Sequence, residues 1–295
     1  MRTGGDSDRY SSRGPGRTSW LTLSTMLIAI ASLGASGSEA GPPLDHWRIG
    51  PGSVAPWAPP GTRVPAGDGF RGQVIQFAAD AVSAPGPLAC ARARFEYVVT
   101  PAAGLFQGML GTTAESTASA LGIPALPLLT LRVSCDSGVF DYHLLTPGKA
   151  LLGLDNIIWP LETCGDPSPE ATVLAMLQVH LTHDMAFTPA SVARKQAYLS
   201  DSLQAAIAAW FARPQSPDTV PRINGDPFTD SQEYPDRFVM GLSRTEGAGT
   251  IVPIALGDGS RTLVVEFVLQ YADGQWRIDD LLHEGGATLR GLLEP

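Results

Sequence analysis

Thr130-Leu131-Arg132-Val133-Ser134-Cys135-Asp136-Ser137-Gly138-Val139-Phe140-Asp141-Tyr142-His143-Leu144 decides the fold class. Both arms alternate apolar and polar residues with the two-residue period of a half-buried strand. Asp136-Ser137-Gly138 between them reads as a hairpin turn, with Gly supplying the positive φ that a tight connection needs. The same alternation recurs upstream in Gln73-Val74-Ile75-Gln76-Phe77 and in Ala93-Arg94-Phe95-Glu96-Tyr97-Val98. Shorter apolar runs follow at 151–154 and 156–161. Six to eight antiparallel strands are therefore expected between residues 44 and 161, and a closed or nearly closed barrel would best bury their edges. The Ala-rich stretch 114–121 predicts one short helix, ended by Gly122 and Pro124.

The pattern changes at Thr163-Cys164-Gly165-Asp166-Pro167-Ser168-Pro169, a Pro/Gly/Ser stretch read as a linker. Ser168 then predicts an N-cap with Pro169 at the first helical position. Val173, Leu174, Leu177 and Leu181 fall on one face of a helix running to about residue 186. A second helix is expected over 200–212, with Leu203, Ile207 and Trp210 as its buried stripe. Four strands are expected at 237–242, 250–256, 262–271 and 276–282, and Asp273-Gly274 marks a hairpin between the last two. The fold class is thus α+β in two domains: an antiparallel β-barrel-like domain over 41–163, a linker at 164–169, and helices on a curved antiparallel sheet over 170–295.

Residues 1–40 read as an export signal. Arg2, Arg9, Arg13 and Arg17 precede an apolar run at 20–34, and Ser38-Glu39-Ala40 supplies a cleavage site before Gly41. The run is shorter than the roughly 20 residues of a membrane span, and nothing later approaches that length. These features predict a periplasmic or secreted protein with no membrane span after cleavage.

The 29 acidic side chains outnumber the 20 basic ones, for a net charge of −9. Removing residues 1–40 leaves 26 acidic against 16 basic, a net of −10. That balance repels phosphate, and no Lys/Arg run offsets it, which excludes nucleic acid as a partner. With 44% hydrophobic residues the chain is no disordered acidic tail.

Cys90, Cys135 and Cys164 suit an oxidising compartment, with one bridge and one thiol left over. Cys90 and Cys135 both lie in the β-rich segment and Cys164 in the linker, so Cys90–Cys135 is the favoured pair; Cys90–Cys164 stays open. The spacings contain no C-x-x-C, and no His stands at ligand spacing from any Cys, so no metal and no cofactor is expected.

The order Ser168-Pro169-Glu170, a long helix, Leu199-Ser200 before a second helix, Asp226-Pro227-Phe228 in a loop, and Gln275-Trp276-Arg277-Ile278-Asp279-Asp280 closing the sheet resembles an exported bacterial family of unknown function. That family belongs to the cone-shaped nuclear transport factor two-like superfamily. The resemblance covers residues 168–293 and implies a curved sheet wrapped around helices, used by relatives as a binding module, a dimeriser or an enzyme. Residues 41–163 are only loosely similar to small lipocalin-like or lysozyme-inhibitor-like β-barrels, and lack the lipocalin Gly-x-Trp signature.

Four residues are candidates for chemistry. His180 and Asp184 are four apart on the first long helix, next to His183. Asp279 and His283 end the last strand, where a carboxylate could act as general base in a conical pocket, as the resemblance to steroid-isomerase-like proteins implies. Against an enzyme stands the lack of a nucleophile elbow, a P-loop or His-Glu-x-x-His. The leading expectation is an exported, non-enzymatic envelope protein that binds a protein partner or a small apolar ligand. The alternatives are an envelope enzyme of isomerase-like or hydrolase-like type, and an inhibitor or immunity protein against an envelope hydrolase.

Overall fold

In a computed structural model describing residues 46–65, 69–166, 168–183, 185–214, 222–247, 249–257 and 262–294, the opening stretch forms a hairpin. Strands β6 (Leu128–Cys135) and β7 (Gly138–Thr146) pair antiparallel from Leu129↔Leu144 to Cys135↔Gly138. β7 continues into β8 (Lys149–Leu154) and β9 (Ile157–Cys164). The β8–β9 turn is Asp155-Asn156, with φ of 52° and 63°, the two positive values of a type I′ turn. β5 (Arg94–Thr100) pairs with the other side of β6, and β1 (His46–Ile49), β3 (Val74–Phe77) and β4 (Val82–Ser83) extend the sheet beyond β9. The short β2 (Ser53–Val54) joins β9.

The C-terminal strands are β10 (Arg237–Met240), β11 (Arg244–Glu246), β12 (Gly249–Leu256), β13 (Leu263–Ala272) and β14 (Gln275–His283). Asp273 (φ 52°) and Gly274 (φ 76°) make the expected tight turn between β13 and β14.

These strands do not form a separate sheet. β10 pairs antiparallel with β5, Phe238 opposite Tyr97, and the order β14-β13-β12-β10-β5-β6-β7-β8-β9-β1-β3-β4 runs unbroken. The sheet curls into a half-barrel and stays open, with β14 and β4 at its two ends. Residues 164–169, read as a linker, do not divide the core. One hydrophobic cluster runs from Trp47 to Leu293, drawing on strands of both segments. The sequence pattern misses this because it shows where strands are, and β5–β10 pairing depends on side chains far apart in the chain.

Helix α2 (Pro169–Thr182) lies against β6, β12 and β14. Ser168 caps it, accepting from Ala171 N at 3.0 Å, with Pro169 in the first turn as expected. Beyond the predicted stripe, it also buries Ala175, Met176, Gln178 and His180, because the curled sheet surrounds it. Helix α4 (Asp201–Phe211) starts from Ser200, whose Oγ accepts from Leu203 N at 3.0 Å, and buries Leu203 and Ile207. Helices α3 (Pro189–Lys195) and α5 (Leu289–Leu293) are short. The opposite sheet face carries a second cluster, in which residues 102–126 with α1 (Ala114–Ala120) cover Leu128, Leu151 and Ile158. Hence strands β6 to β9 are buried on both faces where this segment crosses.

Cys90 and Cys135 are bonded, with Cα atoms 5.7 Å apart, and Cys164 is free. Cys90 sits just before β5 in a bridge with Val82. Among the described residues no helix is long and apolar enough to cross a membrane. Residues 1–40, the expected signal, lie outside the described residues.

Candidate functional site

Trp47 is turned inward by the alternation of β1, between Ile75 on β3 and Thr163 on β9. Beside it, Cys164 ends β9 and its Sγ donates to His46 O at 3.2 Å. The β7–β8 turn folds over this corner at Gly148 (φ 78°), where a Cβ would stand 2.7 Å from Thr163 Oγ1, so only glycine fits. Across from these strands lies one side of α2, presenting Ala171, Leu174, Ala175 and Gln178. Ala197 and Tyr198 on the 3-10 turn before α4, with Trp276 and Arg277 on β14, complete the wall. The cleft has a volume of about 350 Å³. That is the small end of the range for sites that hold drug-sized molecules.

Apolar side chains make up the larger share of the wall, and Thr146, Thr163, Gln178, Tyr198 and Arg277 are among its polar ones. Gln178 Nε2 donates to Leu144 O at 3.0 Å, where the β7–β8 register slips. Burial raises the Tyr198 hydroxyl pKa, so the phenol stays neutral. Arg277 donates through Nη1 to Ala197 O and through Nη2 to Gln275 Oε1, and no carboxylate among the described residues lies within ion-pair distance of it. The Trp47 indole Nε1 is buried and has no hydrogen-bond partner among the described residues. Leaving such a donor unpaired costs about 1–3 kcal/mol.

The residues singled out for chemistry lie elsewhere. His180 is fully buried, and its Nε2 meets Asp226 Oδ2 at 2.6 Å. Asp226 also accepts from Thr229 Oγ1 at 2.6 Å and Phe228 N at 3.1 Å, and Phe228 packs edge-on against the His180 ring. His283 Nε2 donates to Pro227 O at 2.9 Å. The two histidines thus pin the 226–230 loop to α2 and β14. Asp279 accepts from Ser200 Oγ (2.5 Å), Gln270 Nε2 (2.9 Å) and Arg290 Nη2 (2.7 Å). It anchors the start of α4 and the C-terminal turn. None of these three lines the cleft. Asp184 lies outside the described residues. Among the described residues no group of three or more His, Cys, Asp or Glu could hold a metal.

Sequence reasoning passed over His143, which appears as one member of an alternating strand. It is fully buried on β7, where Nε2 accepts from Phe106 N at 2.8 Å, so Nδ1 carries the proton and donates to Thr130 Oγ1 at 2.8 Å. Desolvation lowers its pKa to about 4 and keeps the ring neutral. The contact holds Phe106 and Gln107 in left-handed backbone, with φ of 50° and 58°. The cleft was also invisible to sequence reading, because its wall comes from five distant stretches. The chain matches no family model, no curated protein and no solved structure.

Proposed function

We propose that the protein is an exported, non-enzymatic binding protein whose cleft between β1, α2 and β14 holds a small, mostly apolar ligand. The observation that carries this reading is a concave cleft of about 350 Å³ whose wall is apolar over much of its area, with Leu144, Leu174, Ala175 and Trp276 facing it. A bound molecule buries its apolar part against Leu144, Leu174 and Trp276. The basic residues before the apolar run at 20–34 and the Cys90–Cys135 bridge support export to an oxidising compartment. β10 and β12–β14 curving over α2 and α4 support the cone-like reading of the C-terminal segment.

Native mass spectrometry of the protein purified from its own envelope tests the proposal. The expected result is a retained small molecule that Ala171→Trp, which fills the cleft, expels. Retention of the same molecule by the filled variant contradicts it.

A further inference from the structure

Resting on the cleft reading above, we infer that the ligand is an amphipathic anion, with a carboxylate headgroup on Arg277 and an apolar tail along Leu144, Leu174 and Trp276. Arg277 lines the cleft half-buried, and its guanidinium donates to two neutral acceptors, Ala197 O and Gln275 Oε1. Those bonds orient the planar fork without neutralising it, and they leave N–H groups that have no acceptor among the described residues. A cation so held, with no carboxylate of the protein beside it, is matched by a ligand carboxylate, which can take two parallel N–H groups at once.

The rest of the wall suits that sign of headgroup. Tyr198 follows Ala197 on the same 3-10 turn, and its hydroxyl stays protonated and has no hydrogen-bond partner among the described residues, so it is a further donor. The other charged side chain of the wall, Asp166, is exposed on the turn between β9 and α2 and forms no ion pair with Arg277, so water and salt screen it. Leu144, Leu174, Ala175 and Trp276 are left for the tail. Because the chain as a whole is negative, any preference for an anion has to arise locally, at Arg277.

Calorimetric titration at neutral pH with three probes of equal tail tests this: decanoate, decanol and decylamine. Decanoate is expected to bind about 10-fold more tightly than either of the others, the worth of a charge-assisted hydrogen bond. Arg277→Gln is expected to bring decanoate to within about 2-fold of decanol while decanol itself, which reports that the variant is folded, stays within about 2-fold of its unmutated value. Arg277→Lys, which keeps the charge and loses the fork, should retain a preference of about 3-fold. In the unmutated protein, decanoate labelled with carbon-13 at its carboxyl should titrate at lower pH when bound than when free, because a neighbouring cation favours the ionised form whereas an apolar site disfavours it. Decanol or decylamine binding as tightly as decanoate, a preference that survives Arg277→Gln, or a bound carboxyl that titrates at higher pH overturns the inference while the cleft reading stands. If none of the three probes binds, the cleft reading fails and the inference with it.

Discussion

Tyr97 on β5 and Phe238 on β10 stack with ring centroids 4.8 Å apart and planes 11° from parallel, across the seam where the N-terminal and C-terminal strands become one sheet. Both are at least 99% buried. Phe238→Ala should therefore destabilise the whole protein by about 3–5 kcal/mol, the cost of emptying a fully packed aromatic site. Urea unfolding followed by far-ultraviolet dichroism and by tryptophan fluorescence should show one coincident transition. Two separated transitions would show that the halves fold independently.

The Cys90–Cys135 bridge closes a loop between residues 45 apart, which constrains the unfolded chain by about 4 kcal/mol on the loop-entropy account. Reduction should lower the urea midpoint accordingly. A non-reducing peptide map should find Cys164 alkylatable and the other two bonded.

His143 gives a pH dependence of known sign. Its folded pKa, about 4, lies below the ordinary 6.5, so the unfolded chain takes up the proton first as pH falls. The stability it contributes is present above pH 6.5 and is lost between 6.5 and about 4, to the extent of about 3 kcal/mol. In His143→Phe this part of the acid sensitivity should vanish, although the variant is less stable at neutral pH because Phe106 N and Thr130 Oγ1 lose their partner.

Removing Asp226 leaves His180 buried without its partner and frees the 226–230 loop. Asp226→Ala should cost about 3–5 kcal/mol, measured by urea unfolding at neutral pH. Binding in the cleft should be unchanged in the fraction that remains folded, since neither residue lines it. A selective loss of binding at unchanged stability would point instead to a functional His–Asp pair.

What the sequence made legible was local. The Asp273-Gly274 turn, the Ser168 cap and the Cys90–Cys135 pair follow from backbone geometry or from strand placement, and each appears where expected. The β5–β10 seam was hidden because Tyr97 and Phe238 are far apart in sequence and either strand reads the same with another neighbour. Asp279 reads as a candidate general base at a strand end, and the three donors that hold it, Ser200, Gln270 and Arg290, come from distant parts of the chain.

Cys164 provides the most direct test of the cleft, since it lines the wall and is the free thiol. The alkylation rate of Cys164 by iodoacetamide should be measured with and without saturating decanol. Occupancy of the cleft predicts at least a 5-fold slower reaction with decanol present, and no such protection in Ala171→Trp. An unchanged rate in the unmutated protein, with decanol bound by calorimetry, would place the ligand elsewhere and contradict the account.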